Sequence, residues 1–367
     1  MAEKAIRLGG ESTADAIVSA VDAMYTEHTF AEKDFALKHN EDEISVDTNF
    51  AAQNFWKEAL IRFFNKKSAV LGLVLIVIIV LLAVLGPGMN SYTYSGQDLS
   101  QKNFAPRVPG IEQFGILDGS EKMSTTTGSK SVNAYVEKGK DDVYYWFGSD
   151  LYGRDIWTRT WEGARVSLII AVAAAIIDMV IGMSYGLISG YFGGRVDMVM
   201  QRFLEVANGI PRLVIVTLLL LVLQPGMVTI IFALMLTEWV GMSRIARAEM
   251  LKLKDQEFVL ASRTLGAGSF FIIFKEVLPN IIGPIITQVM FSIPTAIFTE
   301  AFLSFVGLGI PVPQCSLGSL ISELYNSFTT HPYQIIPPIV VMSLLMLSFN
   351  LVADGLREAL DPKMKSM

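Results

Sequence analysis

Apolar residues along this chain gather into six long runs separated by polar stretches. A membrane-crossing helix needs about 20 mostly apolar residues, because each residue rises about 1.5 Å across a hydrocarbon layer of about 30 Å. The first run, Ala69 to Leu85, is almost unbroken aliphatic. The others are Val166 to Ile188, a span within Arg202 to Leu223, Met227 to Ser243, Ile281 to Val306 and Tyr333 to Val352. The third is placed loosely, since the clean apolar stretch from Leu213 is too short alone. Gln224-Pro225-Gly226 predicts a tight turn that makes the third and fourth helices neighbours. The pattern as a whole predicts an all-α polytopic membrane protein with six transmembrane helices.

The polar stretches divide the rest. Residues 1–50 read as an acidic cytoplasmic tail, in which Ala14, Ile17, Val18, Val21 and Met24 fall at helical spacing. A short amphipathic helix and a disordered tail both fit that spacing. Residues 51–68 mix Phe55, Trp56, Leu60, Phe63 and Phe64 with Lys57, Arg62, Lys66 and Lys67, the composition of a helix lying on a membrane surface. The first span follows at 69–86, then an extracellular insertion at 87–163 expected to form a small strand-rich cap. Residues 164–356 hold the remaining five spans, with a cytoplasmic loop at 244–280, and 357–367 form a cytoplasmic C-terminus.

Orientation follows from basic residues in short loops. Lys57, Arg62, Lys66 and Lys67 precede the first span and place the N-terminus in the cytoplasm. Loop 244–280 carries Arg244, Arg247, Lys252, Lys254, Arg263 and Lys275, whereas 224–226 and 307–332 carry no Lys or Arg. Arg357, Lys363 and Lys365 agree with a cytoplasmic C-terminus.

Composition adds exclusions. The 367 residues are 52% hydrophobic and 17% charged, too apolar for a soluble domain. The net charge of −6 is concentrated in residues 1–50, which sum to −7, leaving the rest nearly neutral. Such a balance gives no footing for nucleic acid. The single cysteine, Cys315, excludes an intrachain disulfide framework and multi-cysteine metal sites. His28, His39 and His331 are isolated, so no metal or cofactor is expected in this chain. The first fifty residues are polar, and the first apolar run is expected to be a retained anchor rather than a cleaved leader.

The chemistry-bearing stretch is loop 244–280. Arg244 to Leu265 alternates charged and apolar residues at helical spacing, Gly266 is placed to stop that helix, and a second short helix over 269–277 is expected to end at Pro279. A helix–glycine–helix tied to two spans suits either docking by a partner or simple solvation. Four ionisable residues fall within spans: Asp178, Arg212, Glu238 and Glu300. Charges there are functional suspects because burying them unpaired costs several kcal/mol. Arg212 is expected to line a water-filled path, to pair with Glu205 or Glu238, or to snorkel to an interface. Glu300 either shapes an outer gate or pairs with a partner subunit. Pro284 and Pro294 predict kinks in the fifth span, and Pro337-Pro338 a break near the start of the sixth.

Four ordered motifs carry a resemblance. Loop 244–280 resembles the coupling motif of ABC importer permeases, Glu-Ala-Ala, three residues, Gly, nine residues, Ile, one residue, Leu-Pro. Aligned on Gly266 and Leu278-Pro279, it keeps Ala261, puts Ser262 at the second Ala, Leu260 at the Glu and Glu276 at the Ile, and has Glu257 three residues earlier. Phe147-Gly148-Ser149-Asp150 through Gly153-Arg154-Asp155, continued by Gly163-Ala164-Arg165, is similar to the signature before the second span of the dipeptide/oligopeptide/nickel permease family. Glu300-Ala301-Phe302-Leu303-Ser304-Phe305-Val306-Gly307-Leu308-Gly309 and Asp354-Gly355-Leu356-Arg357-Glu358-Ala359-Leu360-Asp361-Pro362 match the same family, the latter its C-type subunit.

The resemblance spans roughly 55–363. It implies a channel-forming permease of an ATP-driven oligopeptide importer in a cell membrane, paired with a second homologous permease. Two cytosolic ATP-binding subunits, which hold ATP and Mg, and an extracellular peptide-binding protein complete the assembly. Glu257, Ala261, Ser262, Gly266, Leu278 and Pro279 then serve ATPase coupling, and Arg212, Glu238, Pro294 and Glu300 the pathway or gate. No Gly-x4-Gly-Lys-Ser/Thr phosphate loop occurs in the chain, so it is expected not to be an enzyme itself. Dipeptide, glutathione or nickel are the alternative cargoes. A stand-alone ion-coupled carrier would need a richer network of intramembrane charges.

Overall fold

The computed structural model describes residues 55–125 and 128–360. The acidic tail and the end of the C-terminal motif, Asp361 and Pro362 with Lys363 and Lys365, lie outside them. Helix α1, Phe55–Asn65, leads into α2, Lys67–Leu85. α3 runs Ile156–Phe192, α4 Gly194–Gly209, α5 Arg212–Val222 and α6 Met227–Leu253. α7, Glu257–Thr264, precedes the long α8, Ser269–Leu308; α9, Leu317–Leu324, and α10, Ile336–Leu360, complete the order. Among the described residues five helices are long and apolar enough to cross a membrane, and α4 with α5 make a sixth span if the bent pair is counted as one. The chain is an all-α polytopic membrane protein.

α2 is apolar on every side, as expected of a helix that meets lipid and protein together. Leu71, Val77, Leu81 and Leu85 stay exposed while Ala69, Gly72, Ile79 and Ala83 are buried. The buried side crosses α10 through small residues: a Cβ on Gly72 would lie 2.7 Å from the Ser348 carbonyl oxygen, and one on Gly355 2.3 Å from the Ala69 Cβ. Lipid offers apolar surface as good as leucine, so close backbone approach is what lets membrane helices associate.

α3 and α6 use the same device more strictly. Gly182, Gly186 and Gly190 sit one turn apart, and Cβ atoms there would fall 2.5 Å from the Trp239 carbonyl oxygen, 2.1 Å from that of Ser243 and 2.8 Å from the Met250 Cβ. α3 begins at Ile156, earlier than its apolar run, because its first turns carry Thr158, Arg159 and Thr160 against protein rather than lipid. Asp155 caps it, accepting from the Thr158 N–H at 2.8 Å. The main core joins α2, α3, α6, α8 and α10 around Ile79, Trp161, Ile170, Leu234, Ile297 and Leu345.

The third span departs from a straight helix. α4 and α5 meet at 77°. Ile210 is extended (φ −83°, ψ 123°) and Pro211 follows at φ −57°, ψ 128°. Proline disfavours helical backbone in the residue before it and supplies no N–H, so the helix stops and restarts at Arg212.

The opposite happens in α8. Rather than ending at Pro279, the helix from Ser269 continues through a π turn at Ile272–Val277 and runs on to a kink at Gly307, where φ is +89°. That wider turn sits where a proline's missing hydrogen bond and ring would otherwise clash with the preceding turn. Pro284 and Pro294 also lie inside the continuous helix. Pro337-Pro338 does not break α10; both prolines occupy its first turn, where the absent N–H groups would be unpaired in any case.

Between α2 and α3 the cap is not strand-rich. One antiparallel hairpin, β1 Ser120–Thr125 and β2 Gly128–Asn133, pairs in the register Ser120↔Asn133, and the rest of the described segment is mostly turns. Phe104, Tyr135 and Tyr145 form its small core, with Tyr92 stacked on Tyr145 at 4.5 Å. This segment marks the insertion end of the bundle; α7 marks the loop end.

Candidate functional site

Residues of interest fall at three levels along the bundle. At the loop end, the helix expected over Arg244 to Leu265 is two helices, α6 and α7, broken at Lys254-Asp255-Gln256. α7 closes in a Schellman motif: the Ala267 N–H donates to the Ser262 carbonyl and the Gly266 N–H to that of Arg263, both at 3.0 Å. Gly266 holds φ +86°, a left-handed conformation that glycine accepts without steric cost.

Val259 fastens α7 to the bundle, fully buried among Met250, Ile272, Ile273 and Val277. The Arg263 guanidinium lies 5.5 Å from the ring centre of Tyr191 at the end of α3. The outer face of this unit carries Glu257, Phe258, Leu260, Ala261, Leu265, Gly266, Phe270 and Phe271, all exposed, with Leu265 at 89%. Ser262 and Leu278 are half-buried and Pro279 exposed. These apolar side chains are displayed beside Lys275 and Arg263, which are also exposed.

Nearby, Arg247 grips Asp197 through two 2.6 Å bonds, and Asp197 also accepts from Ser189 at 2.6 Å. This bidentate pair ties α4 to α6 and α3.

At mid-bundle, Arg212 pairs with Glu238 at 2.6 Å, and its Nη1 also reaches the Thr299 hydroxyl at 3.4 Å. Glu205 instead pairs with Arg202 on the exposed side of α4. Glu238 stands at the join between the two segments of α6, and Arg212 opens α5 at the bend. Asp178 is buried at the start of a π turn in α3 and accepts from the Ser292 hydroxyl of α8 at 2.7 Å. Pro294 is buried on α8, between Ser292 and Thr299.

Toward the insertion end, Glu300 is completely buried, and its partners come from its own chain. It accepts from Ser304 at 2.7 Å, Ser167 at 3.2 Å and Ser316. Ser167 in turn accepts from the Leu317 N–H at 3.1 Å, and Ser316 caps α9 with Ser319 in a reciprocal box. One carboxylate thus binds α3, α8 and the start of α9.

The Asp150–Arg154 motif builds a second lock beside it. Asp150 accepts from Arg154 Nε at 2.7 Å and from Arg159 Nη1 at 2.8 Å. Both guanidiniums continue to Glu323 on α9, Arg159 at 2.7 Å. Burial pushes the Glu323 carboxyl up, but Arg159 and Arg154 outweigh it and hold the group below the usual carboxylate range. Gly148 and Gly153 take φ of +83° and +71°, and a Cβ on either would strike the backbone of Phe104 or Asp98. Glu323 and Arg159 carry no local signature; they meet across 164 residues.

Residues 182–366 match the family described as the binding-protein-dependent transport system inner membrane component. Residues 54–106 match the N-terminal TM domain of oligopeptide transport permease C. The chain is 41% identical over 312 residues to the oligopeptide transport system permease protein OppC of Bacillus subtilis, covering 85% of this chain and 91% of that one. It is 38% identical over 332 residues to the dipeptide transport system permease protein DppC of the same organism, covering 90% and 93%. Among solved structures, a chain of the MetNI methionine ABC transporter is 16% identical with TM-score 0.47, covering 54% of this chain and 94% of that one.

Proposed function

The chain belongs to the family of binding-protein-dependent transport system inner membrane components, and from that premise we propose that it is one channel-forming half of an ATP-driven oligopeptide importer. A second homologous permease completes the channel, two cytosolic ATP-binding subunits hydrolyse Mg-bound ATP, and an extracellular protein delivers peptide. The chain lies in the cell membrane with both termini cytoplasmic, so α7 faces the cytosol and the hairpin segment faces outward.

The observation that carries this reading is the rigid α7–Gly266–α8 unit with its exposed apolar face. Glu257, Ala261, Ser262 and Gly266 present that face to an ATPase, while Leu278 and Pro279 link it to α8. Movement imposed there runs into α8, past Pro294, to the Glu300 lock at the outer gate. Arg212 and Glu238 border the path between.

Relatives named for oligopeptide and for dipeptide transport support a peptide cargo. A dipeptide permease is the second reading. Purified complex in liposomes, supplied with ATP inside and labelled peptides of two to six residues outside, separates the two. Leu265→Asp and Gly266→Pro are expected to leave the permease in the membrane and to weaken ATPase capture about tenfold or more, the scale of an interface hot spot. Proline cannot adopt the backbone of residue 266. Normal peptide-stimulated ATP hydrolysis and uptake in both variants would remove the docking assignment. Uptake without ATP would instead indicate an ion-coupled carrier.

A further inference from the structure

The bend between α4 and α5 opens a cavity of about 420 Å3 against α8. Its walls include Pro211, Arg212, Thr295, Phe298, Thr299 and Phe302. Phe298 and Phe302 line it and remain exposed. Arg212 reaches this space while Glu238 stays behind: the arginine side chain is 45% exposed and its carboxylate partner 12%. The ion pair is therefore asymmetric. A single Arg–carboxylate contact uses part of the five N–H donors that a guanidinium carries, and Arg212 lines the cavity with donors to spare. The start of α5 adds backbone N–H groups without helical partners and the positive end of a helix dipole.

We propose that this cavity is a transit subsite for the terminal carboxylate of the translocated peptide, with Arg212 as its receptor and Glu238 as the counter-charge that holds Arg212 when the path is empty. The proposal rests on the peptide-import reading above. Chemistry favours this occupant. An arginine inside a membrane is tolerable only when paired, and Glu238 meets that need between transport events. An incoming carboxylate offers an equivalent charge-assisted bond, and the Thr299 hydroxyl lies 3.4 Å from the Glu238 carboxylate. Among the described residues neither partner is held by a second ion pair, so Arg212 has one carboxylate to exchange. Phe298 and Phe302 accept side chains through apolar contact without selecting among them.

The test uses the complete transporter in liposomes and one peptide in two forms, with a free C-terminal carboxylate and with an amide. The readout is the ratio of their uptake rates, which is independent of how much transporter is active. Arg212→Gln is expected to move the wild-type ratio about tenfold toward unity, the scale of a lost charge-assisted hydrogen bond. The exchange Arg212→Glu with Glu238→Arg rebuilds the ion pair, and with it the local fold, but presents the wrong charge to the cavity; its ratio is expected to fall as well. A wild-type ratio in either variant, with uptake measurable, overturns the proposal. So does loss of the second permease from the purified exchange variant, which would assign the cavity to a subunit contact. Should Arg212→Gln fail to fold, the exchange variant decides alone. If the wild type imports neither form, the importer reading itself fails, an outcome distinct from the other two.

Discussion

Glu323 shows how a single residue outside every apolar run sets the geometry of one end of this molecule. Arg154 and Arg159 are buried between it and Asp150. Removing one carboxylate strands two guanidiniums on the other. Glu323→Gln is expected to destabilise the protein by about 3 kcal/mol, the scale of a broken buried pair, read as a lowered midpoint of thermal unfolding in detergent. The acid response has a definite sign. The Glu323 carboxyl lies below its usual range in the folded protein, so its contribution is complete above the unfolded value of about 4.3 and is lost as pH falls through the folded value. Wild-type protein is therefore expected to lose thermal stability below about pH 4 more steeply than Glu323→Gln. Equal slopes would show that the ion network does not respond to acid. Nothing local in the sequence announces this residue. Arg212 is different: its ion-pair partner, Glu238, was one of two acids near enough in the chain to be considered, and the bend at Pro211 selects between them.

Among elements, the α3–α6 contact is the strictest. A side chain at Gly186 has nowhere to go, since the Ser243 carbonyl and the Ala246 Cβ already occupy the space. Gly186→Leu is expected to force the helices apart and to cost about 3 kcal/mol or more. Unchanged unfolding of that variant would contradict the packing described. The three glycines at four-residue spacing were legible, since small residues so placed are the common signature of close membrane-helix contact, yet a search for apolar runs passes over them. α2 matches its apolar run almost to the residue because the hydrocarbon it must cross sets its length. The break at 254–256 was not, because a charged and apolar alternation at helical spacing continues across it and only the anchoring of Val259 against α8 decides where the chain turns. Pro279 misled for a related reason: proline predicts a stop, and the π turn before it allows continuation.

For the whole molecule, the family and the membrane-spanning class were legible from six apolar runs and four motifs, whereas the locks that join those motifs in space were not. The proposed orientation has a direct check. Cys315 is buried at 1% exposure, so labelling of the purified chain after reaction on intact cells reports the introduced site. Phe114→Cys is expected to react with a membrane-impermeant maleimide from outside, and Leu265→Cys only after the membrane is opened; the reverse pattern would invert the topology. The Asp178–Ser292 bond bears on how such a chain is made. Its partners are separated by 114 residues, so during synthesis α3 emerges from the ribosome long before α8. Until α8 arrives, α3 carries a carboxylate into the bilayer at a penalty of about 3 kcal/mol with no hydroxyl from α8 to offset it. The apolar run of α3 must therefore offset that penalty on its own at first, and the bond that relieves it closes only once α8 has been translated.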